Sequence, residues 1–209
     1  MSVEITWIGH ASFRISGQDA IVYIDPWKLA DAPHDADVVV VSHGHYDHCS
    51  PEDVEKVSKD GTAIIAPRDV IAKLATASGV TPGDRMTIRD VTVEAVAAYN
   101  IGKAFHPRGN NWIGVVLTID GKRIYYAGDT DLIPEMSDLT DVDLALLPVG
   151  GTYTLDAREA AKACAAIGCA AAVPYHWGDI VGSDADAKAF TASAGCEATL
   201  LRPGETMTL

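Results

Sequence analysis

Residues 43 to 48 read His-Gly-His-Tyr-Asp-His, three imidazoles and one carboxylate in six positions. Imidazole nitrogens with a single carboxylate suit zinc, iron or manganese, and suit calcium or magnesium poorly. If the chain is still extended where it enters this segment, His43 and His45 project to the same side and can hold one cation. The turn that follows can carry Asp47 and His48 to a neighbouring cation. The plain alternative is a solvated histidine-rich loop, but low-complexity histidine tracts lack this ordered spacing and have no strand in front of them.

The flanking sequence supplies the means of positioning these groups. Val38-Val39-Val40-Val41 is a β-branched apolar run that reads as a buried strand, and its exit delivers the six residues. After them, Ser50 can cap a helix, Pro51 suits its first position, and Glu52 and Asp53 favour the positive end of its dipole. Strand, loop and helix are thus specified locally.

Other groups stand at strand exits. Asp129, in Ala127-Gly128-Asp129-Thr130, follows Arg123-Ile124-Tyr125-Tyr126, and a small glycine-containing exit lets a short carboxylate approach a buried site. An Asx turn is the ordinary reading of the same tetrapeptide. His176 follows the apolar run Ala170 to Tyr175, a place where a lone histidine is more often structural. His10 and Asp25 end short N-terminal strands: Asp25 can orient a ligand imidazole and His10 can line a pocket, or both can be turn and core residues. Tyr153, in Gly150-Gly151-Thr152-Tyr153, either borders the pocket or belongs to a connecting loop, and Trp112 and Trp177 either wall a cleft or pack in the core. Lys103 and Arg108 flank His106 and can hold a substrate phosphate or carboxylate, although a solvated loop is the commoner role. His34 has no partner signal and reads as exposed.

The chain has 209 residues, 48% of them apolar, enough to bury a core as one domain spanning residues 1–209. Its formal charge of -13 repels phosphate backbones and anionic lipids, so neither a nucleic acid nor a membrane is expected as a partner. A small-molecule substrate is expected, and a homo-oligomer stays open. No apolar stretch is long enough to span a bilayer. The start Met-Ser-Val-Glu-Ile-Thr reads as a strand with no basic leader, which points to the cytoplasm. The four cysteines show no Cys-x-x-Cys pairing and read as free buried thiols; Cys49, next to His48, is expected to pack.

Period and turn signals predict strands at 3–8, 11–16, 20–24, 37–41 and 62–66, with helices at about 51–59 and 68–77. Further strands are predicted at 85–89, 91–98, 112–119, 122–127, 142–148 and 170–174, helices at about 155–167 and 184–193, and final strands near 197–201 and 205–208. Asp120-Gly121 reads as a hairpin turn. Pattern alone gives a mixed α/β domain.

His-x-His-x-Asp-His after a hydrophobic strand resembles the signature of the metallo-β-lactamase superfamily. Trp7 to Phe13, Ile24-Asp25-Pro26, Gly128-Asp129-Thr130, Leu147 to Tyr153 and Pro174-Tyr175-His176 follow in the matching order. Together they resemble one branch, predicted metal-dependent hydrolases similar to ascorbate-6-phosphate lactonase. The resemblance implies a four-layer αββα sandwich with two divalent metal ions, zinc first, with Mn2+ or Fe2+ as alternatives. It makes His43 and His45 ligands of one ion, Asp47 and His48 ligands of the other, Asp129 the bridge and His176 the last histidine.

The expected activity is a dinuclear metal-dependent hydrolase in which metal-bound hydroxide attacks a lactone or other ester of a small polar molecule, phosphorylated or not. Asp47 then ligates the second ion and can take the proton released. No Gly-x-Ser-x-Gly elbow suggests a side-chain nucleophile. A phosphodiesterase is the runner-up. Processing nucleases share the hexapeptide, but no extra RNA-binding segment is evident and the charge disfavours a long nucleic acid. Rivals of another class are a di-iron redox protein, in which a glutamate usually replaces His45, and a non-catalytic metal-binding protein.

The sequence departs from that pattern at one point. Relatives place a third histidine for the first ion in an Ala-x-His type stretch, where this chain reads Ala97-Ala98-Tyr99-Asn100. An amide oxygen binds zinc poorly beside an imidazole. The expectation is therefore that the loop 101–104 folds back and delivers His106 as the ligand, with Asn100 a supporting or pocket hydrogen-bonding group.

Overall fold

The computed structural model describes residues 2–74 and 76–209. The chain runs β1 Glu4–Gly9, β2 Ser12–Ser16, β3 Ile21–Ile24, β4 Ala36–Val40, α1 Pro51–Val57, β5 Ser58–Pro67, β6 Ser78–Val80, β7 Arg85–Ile88 and β8 Val91–Ala97. It continues with β9 Ile113–Ile119, β10 Lys122–Tyr126, β11 Leu144–Pro148, α2 Ala157–Ile167, β12 Ala171–Tyr175, α3 Asp184–Ser193, β13 Glu197–Ala198 and β14 Thr206–Thr208. The strands form two seven-stranded sheets, ordered β14-β1-β2-β3-β4-β5-β6 and β13-β12-β11-β10-β9-β8-β7.

Alternation along β4 shows how the layers stack. Val38 and Val40 face the second sheet and join a core with Phe13, Val22, Leu117 and Tyr126. Val39 and Val41 face the other way, where Val54 and Val57 of α1 cover them. A parallel strand covered on both faces has no polar side, so four valines in succession suit it. On the far side, α2 packs on β11 and α3 on β12 and β13, burying Ala160, Ala163, Ile167 and Phe190. The expected αββα sandwich is therefore the architecture observed.

The helix expected at 68–77 does not form among its described residues; Ala75 lies outside them. A single 3-10 turn occupies Ile71–Lys73, and the chain then extends so that β6 pairs in parallel with β5, Ile65 opposite Ser78. Sheet pairing just beyond it outweighs the local helical propensity of this alanine-, leucine- and lysine-containing stretch. Nearby, α1 stops at Val57 rather than 59 because Ser58 is already extended, and its Oγ donates to Val54 O at 2.6 Å. The strand near 197–201 shrinks to Glu197–Ala198.

All four cysteines are free, and Cys49 packs beside Val41 and Val54 as expected. Cys164, Cys169 and Cys196 gather where α2 ends and β12 and β13 begin, with Cys169 and Cys196 sulfurs 3.7 Å apart. Among the described residues, no helix is long and apolar enough to cross a membrane.

Candidate metal centre

The expected ligands come from four separated segments, 43–48, His106, Asp129 and His176, and the two sheets bring them together with His10 and Asp25 at one end of the sandwich. The segment 43–48 leaves β4 and turns back on itself, His48 N donating to His45 O at 3.1 Å and Cys49 N to the same oxygen at 2.8 Å. His43, His45 and His106 place one nitrogen each within 4.8 Å of one another. His10, Asp47, His48 and His176 form a second such group. Asp129 lies between the two. Its Oδ2 is 3.2 Å from both His106 Nε2 and His176 Nε2, and its Oδ1 is 3.4 Å from His48 Nε2.

The backbone is bent to achieve this. His10, Asp25 and His176 have φ of 46°, 44° and 60°, in the left-handed region that side chains other than glycine seldom occupy. Such strain at a cost of about 1–3 kcal/mol each persists only where the surroundings impose it, and it clusters at functional sites. His176 N donates to His10 O at 2.9 Å, tying two of these turns together. Close approach also explains two glycines. A Cβ at Gly128, before Asp129, would stand 2.7 Å from Ile113 O, and one at Gly150 would stand 2.6 Å from His176 O.

The ring orientations follow from hydrogen bonds behind the cluster. Asp25 is fully buried. Its Oδ1 accepts from Ser42 N at 2.6 Å, and its Oδ2 accepts from Ser42 Oγ, His48 Nδ1 (2.7 Å) and Tyr126 Oη (2.6 Å). With its own proton given to Asp25, Ser42 Oγ can only accept from His43 Nδ1, 3.0 Å away. One carboxylate thereby sets the tautomer of both His43 and His48 and turns each Nε2 lone pair into the cluster. Asn100 does the same for His106. Its Nδ2 donates to Asp131 Oδ1 and Tyr153 O, which fixes the amide, and its Oδ1 accepts from His106 Nδ1 at 3.0 Å and His106 N at 3.1 Å.

Electrostatics point the same way. Burial holds His43 and His45 below the usual imidazole pKa, keeping them neutral, the form that binds metal. Burial opposes charge on Asp129, yet His176 and His48 outweigh it and hold its carboxyl well below the usual range. His48 is the exception: burial opposes its charge, but Asp129 and Asp25 raise its pKa well above that of a free imidazole, so its ring carries a proton that a metal ion would have to displace.

The residues fit a pair of cations. His48 Nε2, His106 Nε2, His176 Nε2 and Asp129 Oδ1 are buried, converge within the cluster, and have no aligned hydrogen-bond partner. Buried polar atoms are ordinarily paired, and orphans each cost about 1–3 kcal/mol. Several lone pairs aimed at common points without donors between them are what a metal site presents.

Of the residues singled out from sequence, His10 donates through Nε2 to Asp47 Oδ2 at 3.0 Å and packs, tilted by 45°, with its ring centroid 4.1 Å from that of His176. Trp112 stands 4.9 Å from the His43 ring and 5.0 Å from that of His45, anchored through Nε1–H to Asp69 Oδ2. Tyr153 lines the cavity above the cluster. Trp177 does not; it packs 5.0 Å from Trp7 and donates to Pro174 O. His34 is exposed. Lys103 and Arg108 are also not at the cavity. Lys103 Nζ is held by Asp131 Oδ1 at 2.6 Å and Thr154 O at 2.7 Å, and Arg108 by Glu135 at 2.8 Å over the Tyr99 ring. Both are held by acidic partners away from the cavity, so the loop role favoured over anion binding is the one observed, with Lys103 partly buried rather than fully solvated.

Ser42 and Tyr126 were not foreseen. Each has a local signal, since Ser42 immediately precedes His43 and Tyr126 lies three residues before Asp129, but only the fold shows that both reach Asp25. The cavity above the cluster measures about 210 Å³. A larger hollow of about 340 Å³, walled by Trp7, Trp27 and Trp177, meets the site only at His10.

The division of labour between His106 and Asn100 gives an expected result. His106→Ala removes a nitrogen from the first group and should cost that group its metal. Asn100→Ala leaves the nitrogen in place but frees the ring, so metal affinity should fall about 10–100-fold with both sites still fillable. Metal analysis under saturating and limiting supply reads the difference, and equal losses in the two variants would contradict it.

A model for the β-lactamase superfamily domain matches residues 4–176. A UPF0173 metal-dependent hydrolase of Methanosphaerula palustris is 34% identical over 201 residues, covering 90% of this chain and 89% of that protein. Another, from Thermoplasma acidophilum, is 32% identical, covering 95% and 93%. A crystal structure of a candidate metal-dependent hydrolase from Parabacteroides distasonis superposes with TM-score 0.87 at 34% identity, over 97% of this chain and 94% of the other. Igni18, a metallo hydrolase of Ignicoccus hospitalis, shares the fold with TM-score 0.82 at 24% identity, covering 100% and 99%.

Proposed function

We propose, for a chain that belongs to the β-lactamase superfamily and within it to the UPF0173 metal-dependent hydrolases, that two divalent cations, zinc in the first place, act together on a lactone or another ester. One observation carries the dinuclear reading. Asp129 stands between two separate groups of ligand atoms, with unpartnered lone pairs turned inward from both sides. His43, His45 and His106 would hold one ion; Asp47, His48 and His176 would hold the other, with Asp129 shared between them. When bound, such a pair supplies ionised water at neutral pH and polarises the carbonyl that is attacked.

The chain's own groups do the rest. Asp25 and Asn100 fix the rings so that the ligand nitrogens need not reorganise. Asp47 borders the cavity, and its Oδ2 is steadied by His10 at 3.0 Å, so its carboxylate is placed to take a proton from the attacking water. Trp112 covers the first three histidines and limits water around them. A phosphodiester is the weaker reading, because beyond the proposed ions no lysine or arginine lines this cavity to meet its charge.

The test combines metal counting with turnover. Purified protein should take up close to two transition-metal ions, chelation should abolish hydrolysis of a panel of lactones and esters, and phosphodiesters should be turned over more slowly. Asp47→Asn should keep the fold and lower turnover by about 10²–10⁴-fold. Full activity in a metal-free preparation, or a covalent acyl-enzyme trapped during turnover, would refute the proposal.

A further inference from the structure

The mouth of the metal-centre cavity is apolar. Tyr46, Phe105, Tyr153 and Ile180 stand around it, above the histidines and aspartates. Tyr46 is 68% exposed, Phe105 46% and Ile180 38%, so three of the five large hydrophobic side chains exposed among the described residues share this one rim. Scattered exposed apolar side chains are ordinary, but several gathered at the opening of a polar site mark a binding surface. They are also held in place. Phe105 packs edge-on against Tyr153 with centroids 4.7 Å apart, and Tyr46 against Trp27 at 5.9 Å.

Charge narrows the ligand further. The two cations that flank His106, Lys103 and Arg108, are spent on Asp131 and Glu135, and Lys73, beside the metal loop, bonds Gly44 O rather than lining the cavity. Of the charged side chains lining the cavity, Asp47 and Asp129 are acids and none is a lysine or arginine. A phosphate or carboxylate on the part of the substrate remote from the scissile bond would meet apolar rings in a chain of charge -13, with no cation of the protein to compensate it. An aliphatic chain at the same place would shed water against Phe105, Tyr153 and Ile180. The cavity of about 210 Å³ is smaller than the roughly 300–1,000 Å³ of clefts that enclose larger ligands, which suits a chain of a few carbons.

We infer that the site takes an uncharged ester or lactone with a short apolar acyl chain seated against Phe105, Tyr153, Ile180 and Tyr46, and selects against phosphorylated substrates. The inference rests on the metal-dependent hydrolase reading above and adds the substrate class to it.

Straight-chain hydroxamates test it by binding, independently of turnover. Their head group ligates metal, and the tail is lengthened from acetyl to octanoyl. With the metal-loaded protein, calorimetric affinity should rise about two- to fourfold per methylene and level off once the cavity is full. The slope should flatten in Phe105→Ser/Ile180→Ser protein of unchanged metal content. A tail ending in phosphate should bind more weakly than a methyl-ended tail of equal length. Affinity independent of length, or tighter binding of the phosphate-ended tail, overturns the inference while leaving the metal centre intact. Failure of the underlying reading looks different: the protein takes up no metal, no hydroxamate of any length binds, and both proposals fall together.

Discussion

Replacing Asp129 by alanine should cost the protein at least one of the two metal ions proposed for it and reduce hydrolysis by about 10²–10³-fold or more, the range lost when a group stabilising developing charge is removed. The reason is its position between the two histidine groups, 3.2 Å from His106 and His176 and 3.4 Å from His48. Both groups converge on this one carboxylate, so its removal weakens both at once. Asp129→Asn is the sharper variant, since it keeps the shape while removing the charge and one acceptor oxygen. Metal analysis after dialysis against a weak chelator, with circular dichroism to show that the fold persists, makes the comparison. An Asp129→Ala protein that keeps both ions at normal affinity would falsify the bridging assignment.

Asp25 should prove the most costly polar side chain to replace. It is fully buried and accepts four hydrogen bonds, from Ser42 N, Ser42 Oγ, His48 Nδ1 and Tyr126 Oη. Removing one partner of a buried ion pair costs about 3–5 kcal/mol, and here the backbone N–H of Ser42 loses its acceptor as well. Asp25→Ala adds strain because φ at this position is 44°. Asparagine tolerates that conformation, so Asp25→Asn isolates the chemistry from the backbone. Its amide must still turn NH₂ toward one set of donors, either Ser42 N or the three at Oδ2. Both variants should melt earlier than the parent in the metal-free state, with Asp25→Ala the lower. Both should bind metal about 10–100-fold more weakly, because His43 and His48 lose the hydrogen bonds that set their tautomers. An Asp25→Asn protein with parental melting temperature and metal affinity would show that this carboxylate does not orient the rings.

Much of this site was legible because the groups that matter follow strands. The run Val38 to Val41 announces a buried strand, and the hexapeptide at its exit carries the ligand types. Asp129 after β10 and His176 after β12 repeat the arrangement, so spacing and strand pattern together bring out the same end of the sandwich three times. The branch resemblance was needed to give Asp129 its bridging role, and the His106 reading used a physical argument about amide oxygen as a ligand. The structure brings His106 beside His43 and His45 and puts Asn100 behind it.

The misses share a cause. Residues 68–77 read as a helix because propensity is local, whereas pairing of β6 with β5 joins Ile65 to Ser78 across thirteen positions. Anion binding stayed open for Lys103 and Arg108 beside the favoured loop role because their charge is visible and their partners, Asp131 and Glu135, are some thirty residues away. Ser42 and Tyr126 carry only a local signal, their places beside His43 and shortly before Asp129, since the carboxylate that unites them lies 17 residues from one and 101 from the other.

The sequence by itself therefore determined most of the elements, though not the stretch 68–80, where the metal-binding residue types stand on them, and the family to which the chain belongs. Periodicity, capping and ligand chemistry are properties of neighbouring residues. Tertiary structure alone decided which lone pairs face inward, which cations are already paired, and that the cavity mouth is apolar. Those depend on distances between segments that only the packing of the two sheets brings together.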